Sequence, residues 1–392
     1  MVLNVISGAL AVLSLVLILW QWLAARRFPL HQRLPADPRP SSPVTFPSLT
    51  LLKPLKGCDA FTEACLRSWF SQQYQGPVQI LFAVASPDDP VCGIVRKLQQ
   101  EFPAADSRLV ICGPLLGANS KVSQLVQLEP LIKHDRLVIS DADVLAPPDF
   151  LAATHPASRI TPPPGLTCCF YRLANPATLA MQWEAVAINA DFWSQVLQSQ
   201  TLKPIDFALG AVMATPRRCL EEIGGFKALA DCLADDYQLG HRIARRGYGI
   251  ELSPVVVECW SEPMGWSAVW KHQLRWARTV RVCQPAPYFF SILSNGTLWP
   301  LVWLAANPAL PVVAFAGFAV LVRMLTALGL QRRLSQSSGG RWVYAWLVPV
   351  KDILQAAIWL LAFLGNSIEW RGRRMRLRRD GTLEPQPGPG RG

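Results

Sequence analysis

The first apolar segment limits the fold most, because it is long enough to cross a lipid bilayer. Residues 2 to 24 read VLNVISGALAVLSLVLILWQWLA and include no charged side chain. About 20 apolar residues in a helix span the hydrocarbon core. A cleaved secretion signal fits less well, since no basic residues precede the segment and no convincing A-x-A site follows it. Arg26, Arg27 and Arg33 come next, so the positive-inside rule predicts that the following residues are cytosolic.

The overall composition fits a chain that has both a soluble part and membrane segments. Hydrophobic residues make up 51% of the chain, charged residues make up 17%, and the mean hydropathy is +0.22. The 15 Trp residues agree, since Trp favours membrane interfaces. A net charge of +11 raises the question of nucleic-acid binding, but the Arg residues cluster beside apolar segments. That pattern indicates anionic lipid headgroups and no nucleic acid.

Residues 48 to 262 have the pattern of an α/β domain. The apolar segments SLTLLKPL, VQILFAVAS, RLVICG and RLVIS alternate with segments of helical periodicity. This alternation predicts a largely parallel, doubly wound sheet. Ligands of such sheets bind beyond the carboxyl ends of the strands, where this sequence places Asp88, Asp89, Asp141 and Asp143.

Three further apolar segments follow, over residues 288–306, 309–330 and 342–364. The third contains Lys351 and Asp352, which are costly in a bilayer unless they face protein or water. If all three crossed the membrane, the basic end of the chain would lie outside the cell, against the positive-inside rule. We therefore expect one of the three to be interfacial or re-entrant.

The segment GWSAVWKHQLRWARTV, between the domain and these apolar segments, is amphipathic as a helix. One face carries apolar residues, namely Trp266, Val269, Trp270, Leu274, Ala277 and Val280. Another face carries Lys271, Arg275 and Arg278. Such a helix suits a membrane surface, and a helix that faces a protein core is the alternative.

These patterns divide the chain into six parts. We predict an N-terminal transmembrane helix over 1–25, a linker over 26–47, a cytosolic domain over 48–262, an amphipathic interfacial helix over 263–284, membrane segments over 285–366 and a basic tail over 367–392. The whole is then a multi-pass integral membrane protein.

Asp141 and Asp143 follow the strand RLVIS directly and are separated by one small residue. Unpaired buried charge is costly, so a positive group should lie beside them. Carboxylates suit a hard cation such as Mg2+ or Mn2+, which binds through one or two of them plus substrate phosphates. The ion would ease the departure of a nucleotide diphosphate. An Asx-rich turn is the alternative interpretation.

Two other carboxylate pairs are candidates for chemistry. Asp88 and Asp89 are ordinary turn residues beside Pro, but Asp89 could also accept hydrogen bonds from a base or ribose. Asp235 and Asp236 begin a helical segment, where acidic residues favour the helix dipole. Alternatively, one of the two is a general base, because a neighbouring carboxylate raises its pKa.

Several short motifs together resemble a known family. In chain order they read KPLKG, PDDP, GANSKV, DAD, ADDYQLG, LRWAR and WRGRRMRLRRDG. Their order and spacing resemble membrane-bound, inverting family-two glycosyltransferases, above all the ceramide glucosyltransferases and the bacterial hopanoid glycosyltransferases. The resemblance implies a GT-A-like α/β fold, the fold of transferases that use nucleotide-diphospho-sugars, with apolar helices at both ends.

The resemblance also implies roles for the carboxylates. Asp89 would bind the nucleotide of a UDP-sugar, and Asp141 and Asp143 would bind ribose and the metal-diphosphate. Asp236 would be the catalytic base. Lys121, in GANSKV, would contact the UDP-sugar.

The motif Q/R-x-x-R-W of this family matches His272, Arg275 and Trp276, which implies that they bind the UDP-sugar. His272 replaces the usual Gln or Arg. The implied reaction transfers glucose from UDP-glucose to ceramide, with a hopanoid N-acetylglucosaminyltransferase as the alternative. A bacterial inner membrane is the implied location. A processive polysaccharide synthase shares the motifs but would usually need more membrane helices, and a non-catalytic membrane-anchored protein that binds sugar nucleotides or lipids is a further alternative.

Overall fold

The computed structural model describes residues 1–33, 46–154, 163–336, 344–370 and 373–385. Much of the predicted linker over 26–47 therefore lies outside the described residues. Residues 371–372 and 386–392 of the predicted basic tail lie outside them as well.

Eleven strands and fourteen helices occur within these ranges. The strands are β1 Leu49–Pro54, β2 Val78–Val84, β3 Asp106–Ile111, β4 Arg136–Ser140, β5 Val144–Leu145, β6 Leu166–Leu173, β7 Val212–Pro216, β8 Ile250–Cys259, β9 Ser367–Trp370, β10 Arg373–Leu377 and β11 Leu383–Pro385. The helices are α1 Val2–Arg27, α2 Thr62–Phe70, α3 Val91–Glu101, α4 Ser120–Leu128, α5 Phe150–Ala153, α6 Leu179–Val186, α7 Trp193–Gln200, α8 Arg217–Glu221, α9 Asp235–Arg245, α10 Trp266–Cys283, α11 Pro285–Phe290, α12 Leu298–Ala306, α13 Leu310–Ser335 and α14 Leu347–Phe363. A π-helical segment, Ala187–Phe192, joins α6 to α7.

The large sheet has eight strands in the order β3-β2-β1-β4-β7-β6-β8-β5. Strands β1 to β4 pair in parallel, as the alternation of strands and helices predicts. By contrast, β7 is antiparallel to both β4 and β6, and β5 is antiparallel to β8. Strands β6 and β8 are again parallel. The sheet is therefore mixed, and the prediction of a largely parallel sheet holds for its first half and for the β6–β8 pair.

The connection between β6 and β7 explains the change of direction. Helix α7 packs against the membrane helix α1, because Gln21 Nε2 donates to Ser194 Oγ at 2.6 Å and Gln198 Nε2 donates to Leu17 O at 3.0 Å. The chain thus leaves β6 towards α1 and enters β7 from the same end of the sheet, which makes these two strands antiparallel. A helical connection permits a parallel pair of strands but does not require one.

The core on one face of the sheet continues into the membrane helices. Buried side chains of β1, β4 and β6 form one cluster with Ala25 and Leu30 at the end of α1 and with Leu330 and Leu334 at the end of α13. His31 N also donates to Pro254 O at 2.7 Å. The α/β domain is therefore packed directly on the ends of α1 and α13.

Two helices, Val2–Arg27 and Leu310–Ser335, are long and apolar enough to cross a membrane. A third candidate is the bent pair Pro285–Ser294 and Leu298–Ala306, whose two parts meet at 57°. Arg333, near the end of α13, donates to the carbonyl groups of Ala25 and Arg26 at the end of α1. These two helices therefore end at the same level, beside the α/β domain.

The charged pair within the third apolar segment faces protein. Lys351 and Asp352 are buried in an ionic cluster with Arg323 of α13 and Asp191 of the π-helical segment. Thr297 Oγ1 adds a hydrogen bond to Asp352 at 2.7 Å. Two positive and two negative side chains thus neutralise each other. Lys351 and Asp352 therefore face protein, as the sequence analysis requires of charged residues in this segment.

A small antiparallel sheet of β9, β10 and β11 follows α14, within the range that the sequence marks only as a basic tail. Its apolar residues Ile368, Met375, Leu377 and Leu383 pack on Leu233. Leu383 N donates to Asp231 O at 2.7 Å, and Leu233 N donates to Gly381 O at 3.1 Å. The C-terminal sheet therefore braces the loop directly before Asp235.

Candidate active site

Strand β4 delivers Asp141 and Asp143 to the carboxyl edge of the parallel strands. Asp141 N donates to Ala211 O of the neighbouring chain segment at 3.1 Å. Lys53, fully buried on β1, donates from Nζ to Ser140 Oγ at 3.1 Å and to the carbonyl group of Asp141. Burial lowers the pKa of Lys53 to about 8, although Asp143 opposes the shift. One positive group thus lies beneath the two carboxylates, as the sequence leads us to expect.

Lys121 joins two of the carboxylate motifs. Its Nζ lies 2.8 Å from Asp141 Oδ1 and 3.0 Å from Asp235 Oδ2. Asn119, at the start of α4, orients this region by donating to Cys232 O at 2.8 Å. Burial alone would lower the pKa of Lys121, but Asp141 and Asp235 raise it well above its ordinary value. Lys121 is therefore a fixed positive charge between β4 and the start of α9.

Asp143 has the environment of a cation ligand. Asp143 is exposed to the cavity, but loss of hydration by the surrounding protein, and then Asp141, raise its pKa to about 6, while Lys53 and Lys121 act in the opposite direction. No ion pair among the described residues uses the Asp143 carboxylate. The described residues also include no group of three or more His, Cys, Asp or Glu residues that could hold a metal by themselves. Two carboxylates plus phosphate oxygens remain a fitting donor set for a hard cation.

Asp236 lies in the first turn of α9, and its carboxylate fits only because residue 210 is a glycine. A Cβ atom at Gly210 would lie only 2.5 Å from Asp236 Oδ2, so this glycine makes room for the carboxylate. Tyr237 N donates to Asp236 Oδ1 at 2.8 Å. Burial, and then Asp235, raise the pKa of Asp236 to about 6, against the effect of Lys121. The carboxyl group is thus more basic than an ordinary Asp and still mostly ionised at neutral pH.

Asp89 lies in the loop after β2 and contacts the loop after β1. Its carboxylate accepts hydrogen bonds from Gly57 N at 2.9 Å and from Val91 N at 3.1 Å. Gly57 has a φ of +68°, which a glycine adopts without strain. Asp89 therefore joins two loops at the carboxyl edge of the sheet. Its hydrogen bonds within the described ranges do not extend to Asp141 or Lys121.

A cavity of about 400 Å³ extends from Asp143 to helix α10. His272 and Arg275 of the Q/R-x-x-R-W motif line it, together with Trp260 and the apolar residues Met181 and Met264. Trp276 is not part of the lining, and its ring packs against His272 with the centroids 4.7 Å apart. The structure thus brings Asp143, which the sequence predicts to bind a metal, and two residues of the α10 motif to one cavity.

Two buried residues near the site were missed by the sequence analysis. Lys53 stands in the motif KPLKG, but no partner was expected for it. Glu184 is the single charged residue of the helix LAMQWEAV, is 1% exposed and also lines the cavity. A lone carboxylate in an otherwise apolar helix is the signal that could have identified it, since such a charge needs a partner.

The apolar face of α10 is covered in part by protein. Trp183 of α6 stacks on Trp270 with an angle of 18° between the rings, and Val269 and Ala277 are buried in the same cluster as residues of α14. Trp266 and Val280 remain 44% and 47% exposed. Protein therefore covers some of this face and leaves the rest accessible, and the interfacial position of α10 stays a prediction.

Comparison with known proteins gives a family match over nearly the whole chain. The model described as Glycosyl transferase family 21 matches residues 6–383. Ceramide glucosyltransferase 3 of Caenorhabditis elegans is 21% identical over an alignment of 398 positions, which covers 97% of this chain and 82% of that protein. Ceramide glucosyltransferase of Candida albicans is 30% identical over 126 residues, which cover 29% of this chain and 23% of that protein.

Among solved structures, mannosyltransferase PcManGT from Pyrobaculum calidifontis, in complex with GDP-Man and Mn2+, has a TM-score of 0.53 and 20% identity. The match covers 91% of this chain and 99% of that chain, and it confirms the GT-A-like fold that the motifs imply. The relatives confirm the resemblance to ceramide glucosyltransferases, with family 21 as the matching family. Because that family match extends over nearly all of its length, the chain belongs to glycosyl transferase family 21.

Proposed function

We propose that the protein transfers a hexose from a UDP-sugar to a hydroxyl group of a membrane lipid, with UDP-glucose and ceramide as the substrates. The observation that carries the proposal is the position of Lys121, which ties Asp141 to the Asp235–Asp236 pair beside the cavity that Asp143 and Arg275 line. Donor-binding and base motifs are thereby adjacent. The names of the curated relatives support ceramide as the acceptor.

A divalent cation, Mg2+ or Mn2+, is part of the proposal. Asp141 and Asp143 would hold it, and the presence of Mn2+ in the PcManGT complex agrees with this assignment. When bound, the ion would neutralise charge on the diphosphate of the donor. Arg275 lines the same cavity and would add a fixed positive charge for the departing UDP.

Asp236 would act as the general base. It would accept the proton of the lipid hydroxyl while the hydroxyl oxygen forms a bond to the anomeric carbon of the sugar. The bond between that carbon and the diphosphate oxygen breaks, and the electron pair leaves with UDP. Because attack and departure occur on opposite faces, the configuration of the sugar is inverted. A carboxyl group with a pKa of about 6 suits this task near neutral pH.

We further propose a multi-pass topology in a bacterial inner membrane, with the α/β domain in the cytosol. Trp303 of α12 donates to Asn4 Oδ1 at the start of α1, at 2.7 Å, so α12 reaches the end of α1 that is remote from the domain. Helix α13 then returns to the domain side. Helix α14 starts in the core shared with Leu334 and ends beside α11, so it would stay on that side. The non-crossing segment is then 342–364, and the basic end of the chain is cytosolic.

The direct test is a transfer assay with the purified full-length protein in lipid nanodiscs. The proposal predicts that UDP-glucose, ceramide and Mg2+ or Mn2+ yield glucosylceramide and UDP in equal amounts, and that EDTA abolishes both. Product formation with a hopanoid and UDP-N-acetylglucosamine alone would reassign the substrates. No UDP release from any sugar nucleotide with any lipid acceptor would reject the proposed reaction, and full activity in EDTA would reject the metal.

A further inference from the structure

Glu184 of α6 is a buried carboxylate in the cavity wall that the mechanism above does not use. Its Oε1 atom lies 2.6 Å from His272 Nδ1 and accepts a hydrogen bond from Gln273 Nε2 at 2.8 Å. The side chain of Glu184 is 1% exposed, whereas that of His272 is 30% exposed. A buried carboxylate thus holds a residue that reaches the cavity.

Beside an ionised Glu184 carboxylate, this contact selects the ring nitrogen of a neutral His272 that carries the proton. An ionised carboxylate can only accept hydrogen bonds, so Nδ1 must be the donor. In the neutral ring, Nε2 is then an acceptor. No hydrogen bond from the described residues reaches Nε2. His272 Nε2 is therefore an oriented acceptor at the cavity that His272 and Glu184 line, and none of the described residues donates a hydrogen bond to it.

The lining of the cavity indicates what this acceptor would meet. Asp143 lies at one side, and the apolar side chains of Leu173, Met181 and Met264 contribute to the wall. An apolar wall with a few placed polar groups is typical of sites for small organic ligands. The complement of a neutral Nε2 acceptor is an O–H or N–H donor, and the proposed substrates carry many hydroxyl groups.

We propose that Glu184 is a positioning residue that presents His272 Nε2 to a hydroxyl group of the bound substrate. The inference rests on the proposed function, since it takes this cavity as the place where sugar donor and lipid meet. The hydroxyl belongs either to the transferred hexose or to the head of the lipid, and kinetics separates these two sources. Neither Glu184 nor His272 is the base in this proposal, because Asp236 has that role.

The substitution Glu184→Gln tests the positioning role. The amide can donate as well as accept, so it no longer requires the proton on Nδ1. We expect a KM about 5- to 10-fold higher, which is the size of one lost hydrogen bond, and a kcat within about twofold of the original. His272→Gln should raise KM less than Glu184→Gln does, because Gln can donate its amide to Glu184 and offer Oε1 to the ligand.

Two further variants show whether Glu184 acts through His272. His272→Phe should raise the same KM, and Glu184→Gln should add nothing in the His272→Phe background. An unchanged effect of Glu184→Gln in that background would mean that the residue serves the packing of α6 on α10, and the proposal would be wrong. Gln273→Met is the matched control, because it removes the other hydrogen bond to the same oxygen atom and should leave KM unchanged.

The choice of substrate for the KM measurement identifies the hydroxyl group. A higher KM for UDP-glucose in acceptor-free hydrolysis assigns it to the sugar. A higher KM for ceramide alone assigns it to the lipid. If both values stay the same in variants that still bind UDP, the proposal is overturned.

The tautomer can also be observed without any turnover. The chain has five His residues, so 15N-labelled histidine in the full-length protein gives a simple spectrum, and His272→Gln assigns the signal of His272. We expect the proton on Nδ1 in the native protein and a shift of the population towards Nε2–H in Glu184→Gln. A native ring with its proton on Nε2 would contradict the proposal. An Nδ1–H ring in a protein that transfers no sugar would instead reject the proposed function alone.

Discussion

At the scale of single residues, Asp236 allows a sharp test because Gly210 leaves space for its carboxylate but not for a larger group. Asp236→Asn keeps the size of the side chain and removes the basic oxygen. We expect turnover to fall by about 100-fold or more, the usual size of general base catalysis, while UDP binding measured by calorimetry stays the same. Asp88→Asn, at an exposed turn, is the control and should leave turnover unchanged. Near-normal turnover of Asp236→Asn would exclude it as the base.

The raised pKa of Asp236 sets the expected pH dependence. Burial raises this pKa to about 6, so the basic form is lost as the pH falls through 6. At saturating metal, the cation keeps Asp143 ionised, so its raised pKa does not add a second step. We expect kcat to fall about tenfold per pH unit below pH 6 and to be level from pH 7 upwards. A profile that stays level down to pH 4 would show that an ordinary carboxylate, or none, limits the rate.

The sequence predicts some site residues and not others for a physical reason. Asp141, Asp143 and Asp236 stand where an apolar strand ends or a helix begins, so local pattern places them. Lys53 and Glu184 are single charges within apolar elements, and their roles depend on partners that are distant in the sequence. The contacts of Lys53 with Asp141 and of Glu184 with His272 each join residues 88 positions apart. Neither distance can be read from a local pattern.

At the scale of elements, α10 has two kinds of Trp residue. Trp270 stacks on Trp183 inside the protein, while Trp266 is 44% exposed. We expect Trp270→Ser to lower the thermal unfolding temperature and to reduce transfer to short-chain and long-chain acceptors alike. Trp266→Ser should instead raise KM mainly for a long-chain acceptor in nanodiscs, because an exposed Trp anchors at the lipid interface. If the two variants change the unfolding temperature and the KM values alike, α10 does not anchor at the lipid interface through Trp266.

The ionic cluster of Arg323, Asp191, Lys351 and Asp352 couples α13 and α14 to the π-helical segment after α6. Lys351→Met leaves an uncompensated buried charge, which typically costs about 3–5 kcal/mol. We therefore expect a large drop in the unfolding temperature of the nanodisc-embedded protein. Lys97→Met removes a lysine from an exposed ion pair with Glu63 and should change that temperature little. If the two variants unfold alike, the buried cluster does not hold these elements together.

At the scale of the whole molecule, the α/β domain and the membrane helices share one core. Local patterns predict β1 to β4 and the intervening helices, because each of these elements is a regular apolar segment bounded by turn residues. They do not predict that β7 runs antiparallel to β4 and β6, since strand direction there depends on the packing of α7 against α1. The role of α14 also depends on contacts with distant residues, which hydropathy alone does not contain.

The bracing of the Asp231–Leu233 loop by β11 has a consequence for the order in which the protein is made. These strands leave the ribosome after helices α11 to α14, so the loop before Asp235 gains its support only after those helices have been made. We expect a chain that ends after Asn366 to insert and to bind UDP, but to turn over at least tenfold more slowly because the base is no longer held. Adding residues 367–392 as a separate peptide should restore part of the rate. Full activity of the shortened chain would show that catalytic competence is reached before translation ends.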